Sequence, residues 1–147
     1  MDIVRLLFPP RCISKNAKGK PCRNKVEVEG VRCPTCWADL AQDDSIAVRT
    51  ALVREPNAPL STINRLISDR VMAVRMAAAE RHDLTIDMQL VLANDEAIAV
   101  PRTLAANPTL APEARAVLIR RDDPLLQRQL EVSQGAHSAP LSTELGL

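Results

Sequence analysis

The sequence predicts an all-α chain, a short solenoid of 26-residue, two-helix repeats behind a small N-terminal metal-binding cap. Three observations carry this expectation. Leu40, Leu66, Leu92 and Leu118 are spaced by 26 each time, as are Val48, Val74, Val100 and Leu126, and a fixed period of this length marks a repeat array. The 147 residues include one Trp, one Phe, no Tyr and only four Gly. The core must therefore be aliphatic, which suits packed short helices better than aromatic-rich sheets. Finally, all four cysteines, Cys12, Cys22, Cys33 and Cys36, fall in the first quarter of the chain.

Charge divides at the same place. Residues 1–37 hold eight Lys and Arg against three Asp and Glu, and residues 38–147 hold eleven against fifteen. The net +1 thus hides a +5 head on a −4 body. Every lysine lies in the head, and such a break in composition marks a boundary. The expected organisation is a metal-binding cap fused to a first half-repeat over 1–39, helical repeats over 40–131, and a disordered tail over 132–147.

The first segment, Met1 to Phe8, is apolar but carries Asp2 and Arg5 and stops at Pro9-Pro10. It is too short for a signal peptide or a membrane span. Its expected use is to fold back over an exposed core edge, and the expected location is cytoplasmic. Disulfides do not persist in a reducing compartment, so the cysteines point to metal ligation. Cys33-Pro-Thr-Cys36 is a two-residue-spaced pair whose sulfurs can face one ion, and Cys12 and Cys22 enclose a loop with Gly19 and Pro21. Four thiolates form a closed tetrahedral site. Zn²⁺ is preferred, because the gaps between Cys12, Cys22 and Cys33 do not match common ferredoxin spacings; an iron-sulfur cluster is the alternative.

Each repeat reads as two short helices. Ser45 to Arg54 places Ala47, Val48, Ala51 and Leu52 on one face at helical spacing, behind a capping-type Asp43-Asp44-Ser45 start. Glu55-Pro-Asn-Ala-Pro59 breaks the chain, since proline removes a donor and biases its predecessor away from helix. Leu60 to Ile67 then resumes, with Leu66 and Ile67 turned inward. Leu40, Ala41 and Asp43 align with Leu66, Ile67 and Asp69, so the helix that begins near Cys36 is expected to be the second helix of an incomplete zeroth repeat. The metal site would then be built into the end of the array, where a terminal repeat exposes a core face.

The pattern Asp-x-x-x-x-Val-Arg-x-x-Leu, with Leu104-Ala-Ala-Asn-Pro-Thr109, Pro112 and Leu118, resembles the leucine-rich repeat variant family. The resemblance covers roughly residues 40 to 131. It implies a right-handed superhelix of alternating α and 3₁₀ helices, and some similar proteins carry a cysteine-ligated iron-sulfur module before the repeats. Departures are visible. Pro101 stands where Arg49 and Arg75 stand, Arg102 sits one place beyond, His82 replaces the turn proline, and Asp122 arrives one residue late.

Arg49 and Arg75 recur with Asp43, Asp69 and Asp95 at one period, so an internal Arg/Asp ladder joining neighbouring repeats is expected. Arg54, Arg65 and Arg81 are the candidate exposed residues for contacting a protein partner. In the head, Lys15, Lys18, Lys20, Arg23 and Lys25, with Arg11 and Arg32, have two readings. They can balance the net −2 charge of a Zn²⁺ with four thiolates, or they can contact nucleic-acid phosphates. Phe8 and Trp37 are the head's only stacking groups, and Trp37 is expected to pack instead. No catalytic constellation is apparent. His82 lies at a turn and His137 in the tail, neither with a partner placed by sequence, there is no phosphate-binding Gly-rich loop, and a Cys₄ metal has no open position. The expected function is that of a non-enzymatic protein-interaction module with a structural metal. A nucleic-acid or ribonucleoprotein backbone binder is the second reading, and an iron-sulfur carrier or sensor the third.

Overall fold

A computed structural model describes residues 13, 21, 22 and 32–135 of the chain. Eight α-helices lie among the described residues: α1 Pro34–Leu40, α2 Ile46–Arg54, α3 Leu60–Leu66, α4 Met72–Ala79, α5 Ile86–Ala93, α6 Ala99–Ala105, α7 Pro112–Ile119 and α8 Pro124–Gly135. They fall into two sets. α1, α3, α5 and α7 start at 34, 60, 86 and 112, so the 26-residue period of the sequence is also a period of the backbone. The other four, α2, α4, α6 and α8, pack each against the next, α5 packs on α7, and each helix of the first set contacts the helix that follows it.

Local chemistry sets the helix starts. Ser45 caps α2 by accepting the Val48 N–H, Thr85 caps α5 through the Met88 N–H, and Pro34 and Pro112 open α1 and α7, where a missing donor costs nothing. Pro101 falls in the first turn of α6, where amides lack intrahelical partners anyway. That helix begins at 99, one residue later than the 98 that α2 and α4 would set. From the family resemblance, α and 3₁₀ helices were expected to alternate. The helices of the first set are α like the others: Ile67 donates to Ile63, Gln89 to Thr85 and Arg115 to Ala111, each four residues back. At seven or eight residues they exceed the run over which the poorer 3₁₀ geometry is favourable.

The repeated apolar positions form the core. Leu66, Leu92, Leu118, Val74, Val100 and Leu126 are fully buried, and Leu40 at the N-terminal end packs against the same cluster. The expected inward face of α2 is corrected by one residue. Ala47 and Ala51 are exposed, Val48 is half-buried, and Arg49, Leu52 and Val53 are buried. The helix turns Arg49 inward because its guanidinium has partners there.

Those partners form the expected ladder. Arg49 donates from Nε and Nη2 to the two carboxylate oxygens of Asp69, at 2.7 and 3.2 Å, and from Nη1 to the Asp43 backbone carbonyl. Arg75 repeats the arrangement on Asp95, at 2.6 and 3.0 Å, and holds the Asp69 carbonyl at 2.7 Å. Each Arg thus holds an aspartate backbone behind it and an aspartate side chain ahead. The next rung differs. Arg102 reaches Asp123 at 2.6 Å through Nη2 alone, and its Nε is buried without an acceptor among the described residues. The residue that arrives to complete the rung is therefore Asp123; Asp122 is exposed. Pro101 shifts the arginine by one place, and one-sided contact is the consequence.

A second set of ties, not anticipated from the sequence, joins the turns. Arg81 Nη1 donates to the Val53 and Glu55 carbonyls, and Asn107 Nδ2, one period later, donates to those of Ala79 and Arg81 at 2.8 and 2.7 Å. Buried Gln89 bridges α5 to the loop before α7, donating to Thr109 O and accepting from the Ala111 N–H.

Burial works against the carboxylates of Asp69 and Asp95. The hydrogen bonds from Arg49 and Arg75, and those from the Val71 and Ala97 N–H groups, outweigh it and hold both pKa values below the ordinary range. A carboxylate with a depressed folded-state pKa stabilises the fold above its unfolded value, about 3.9, and loses that contribution as pH falls through the folded value. Stability should accordingly drop below about pH 4, and Asp69→Asn with Asp95→Asn should be less stable at pH 7 but flatter between pH 5 and 2 in denaturant melts. Leu66→Ala and Leu92→Ala, at one repeat position, should each cost about 2–5 kcal/mol, as buried leucine truncations do. Costs near zero in equilibrium unfolding would contradict the shared register.

Candidate metal centre

Cys33, with its own backbone extended, caps α1, and its sulfur accepts the Cys36 N–H at 3.5 Å. This is a direct product of the Cys-Pro-Thr-Cys spacing. Pro34 opens the helix, and the first turn carries Cys36 back toward Cys33. Cys22, eleven residues earlier, brings its Sγ to 3.8 Å from that of Cys33. The three sulfurs all lie within 4.8 Å of one another, so they can hold a metal ion. Cys33 is buried and the other two are half-buried. The fourth candidate ligand, Cys12, lies outside the described residues.

The centre is joined to the core through α1. Trp37, one residue after Cys36, is buried within the hydrophobic cluster, which agrees with the packing role expected for it. Arg32 lies over the indole, 5.2 Å from the ring centroid, a cation–π distance. This places one of the head's cations on an aromatic face. The other basic candidates of the head, Arg11, Lys15, Lys18, Lys20, Arg23 and Lys25, lie outside the described residues, as do the Ile3–Phe8 stretch and His137.

The three arginines singled out for partner contact separate. Arg54 is exposed on α2, with Glu80, the C-cap residue of α4, 3.7 Å away, a loose surface pair of little energetic weight. Arg65 is exposed on α3. Arg81 is not an exposed residue, contrary to expectation. Its guanidinium is largely buried, forks onto Asp83 at 2.8 and 2.6 Å, and holds the carbonyls of the preceding turn. The Arg81 hydrogen bond depresses the Asp83 carboxyl pKa against the opposing effect of burial. The signal that could have found this role is its period, since Arg81 and Asn107 are polar residues 26 apart.

No described helix is long and apolar enough to cross a membrane. The last helix runs to Gly135, into the segment 132–147 expected to be a tail, and residues 136–147 lie outside the described ones.

Cys22 comes from eleven residues before Cys33, and Cys33 and Cys36 stand at the start of α1, so ligation of one ion by all three would tie Cys22 to that helix. Cys22→Ser or Cys36→Ser should lower metal content in elemental analysis and lower the melting temperature together. Unchanged metal and unchanged melting in both variants would show that the sulfurs share no ion. No protein-family model, curated protein or solved structure matches the chain.

Proposed function

We propose that the chain is a non-enzymatic protein-interaction module. It is a short right-handed α-solenoid of the leucine-rich repeat variant kind, whose N-terminal cysteines hold one structural Zn²⁺ and whose outer helix face binds a segment of another protein. The observation that carries the reading is the side-by-side packing of α2, α4 and α6. Equivalent outward positions of successive helices then adjoin, so Ile46 and Met72, with Ala47 and Ala73 beside them, form exposed apolar and small-residue rows. Arg54 and Glu80 stand at the ends of their helices on this side. Such a surface suits an extended or helical segment, which gains from contiguous shallow contact rather than from a deep pocket.

Zinc is favoured over a cluster by distance. A tetrahedral ion with Zn–S bonds of about 2.3 Å sets sulfurs about 3.8 Å apart, and Cys22 and Cys33 have a separation of 3.8 Å. In an iron-sulfur cluster the thiolates are divided among two or more irons, which sets some of them wider apart than the 4.8 Å that encloses all three sulfurs here. A closed four-ligand zinc leaves no position for substrate, so its contribution would be to folding.

Arg54→Glu combined with Met72→Asp should reduce recovery of a partner from native lysate by about tenfold or more, the effect of losing an anchor of roughly 1.4 kcal/mol. Metal content and melting should stay as they are, and nuclease should change nothing. Should Lys15→Glu, Lys18→Glu and Lys20→Glu abolish recovery instead, with binding that falls steeply with salt and is released by nuclease, the basic head is the binding surface and the partner is a nucleic acid.

A further inference from the structure

α1 and α3 do not pack closely on each other, as α5 and α7 do. A cavity of about 330 Å³ is lined by residues of both: Trp37 of α1, and Ser61, Thr62 and Arg65 of α3. Arg32, next before Cys33, and Pro59, next before α3, complete its polar and apolar walls. Two arginines line this cavity and no Asp or Glu does.

Neither arginine has an acidic partner among the described residues. Arg49, Arg75 and Arg102 each meet a carboxylate, and so do Arg54 and Arg81. Arg32 meets the Trp37 ring instead, 5.2 Å from its centroid. Stacking on an aromatic face holds a guanidinium in place without using its N–H groups, which lie in the plane of the group and stay available. Thr62 is 5% exposed, yet its hydroxyl makes no hydrogen bond among the described residues. An unpaired hydroxyl at such burial is a cost to the fold. The cavity thus has a nearly buried donor and two cations that the protein itself leaves unmet.

We propose that this cavity binds a phosphate monoester, with Arg32 and Arg65 on its terminal oxygens and the Thr62 hydroxyl donating to one of them. One guanidinium fork saturates the two oxygens of a carboxylate, which would leave the second arginine and the hydroxyl without use. A phosphate monoester has three terminal oxygens and a charge of about −1.5 to −2 at pH 7, which matches two guanidinium groups and a hydroxyl. A diester has one charge and two free oxygens, and as part of a polymer it suits an open groove better than a cavity between two helices. Ligand cavities begin at about 300 Å³, so the space admits the phosphate with a short organic stem against Pro59. A small free ester and a phosphorylated side chain of a partner share this chemistry. The rows of Ile46 and Met72 take no part in the cavity, so this site stands or falls independently of the outer helix face.

Titration of the full-length chain as purified, followed by calorimetry and heteronuclear NMR, tests this with O-phosphoserine, a phosphoserine peptide, acetate and a single-stranded oligonucleotide. O-phosphoserine should bind saturably, at least about tenfold tighter than acetate, and should shift the Arg32 and Arg65 Nε–H and Thr62 amide signals. Thr62→Val, Arg65→Gln and Arg32→Lys should each weaken it by about tenfold while melting and metal content stay as they are. Arg54→Glu with Met72→Asp should leave it unchanged. A peptide bound at least about tenfold tighter than the free amino acid identifies a phosphorylated partner segment as the source, and equal affinity identifies a small free ester. Absence of saturable binding, acetate bound as tightly, or full affinity in both Thr62→Val and Arg65→Gln would overturn the proposal. So would an oligonucleotide that binds more tightly than O-phosphoserine with a steep dependence on salt, because the arginines would then serve a nucleic-acid backbone.

Discussion

A buried guanidinium that reaches from one unit to the next sets the geometry on which the rest of the fold depends. Arg49 holds the Asp43 carbonyl in its own unit and both carboxylate oxygens of Asp69 in the next, and Asp69 is in turn held at its carbonyl by Arg75. The planar, five-donor fork of arginine accepts such a pair in few orientations, so each rung fixes spacing and angle together. An insertion between Arg49 and Asp69 would leave two charges buried without partners, a far greater penalty than a missing contact at the surface. The period is therefore kept where the rungs are. At Arg102, displaced by Pro101, the fork closes on one side and leaves Nε without an acceptor. The irregularity falls on the third rung among the described residues.

A ladder of this kind holds neighbours together but does nothing for the ends. Inner units bury their apolar positions under the next unit, and an end has no such cover. At the N-terminal end the cover starts with Trp37 and Leu40 of α1. A helix of seven residues is too short to be stable in isolation. The cysteines address that weakness, because an ion held by Cys22, Cys33 and Cys36 would anchor the first turn of α1 at the point where it enters the core. The +5 charge of residues 1–37 fits the same arrangement. A thiolate-bound ion carries negative charge, and one cation of this region, Arg32, already rests against the helix through Trp37.

Much of the fold was legible because a period is a long-range signal. The leucine and valine rows, the proline-marked turns, the half-repeat before residue 40 and the Arg/Asp pairing could all be read by alignment of the chain with itself. What escaped was local and depended on which neighbour a side chain meets. The face of α2 was read from its alanines, yet an alanine fits either side of a helix, and Arg49 decides the rotation by its partners. The 3₁₀ expectation came from resemblance alone, and helices of seven and eight residues favour α bonding. Asp122 and Asp123 cannot be told apart by spacing; Asp123 is selected because its Oδ1 also caps α8 through the Leu126 N–H. At the metal centre the cysteine spacing showed which residues to suspect, while the 3.8 Å approach of Cys22 to Cys33 required three dimensions.

Arg81 and Arg54 together show how structural and recognition residues can be separated in such an array. A polar side chain that recurs at the repeat period meets the same neighbours in every unit, so its use is architectural: Arg49 with Arg75, Asp69 with Asp95, and Arg81 with Asn107 all tie one unit to the next. A position that is exposed in every unit but changes its chemistry from one to the next is under no such demand. Residues 54, 80, 106 and 132 are one such position, exposed throughout and occupied by Arg, Glu, Ala and Val. Adjacent helices bring these unlike groups into one row. In the proposed interaction module a partner would be distinguished there, by a short ordered series of basic, acidic and apolar contacts on a scaffold whose Arg49 and Arg75 are already paired with Asp69 and Asp95.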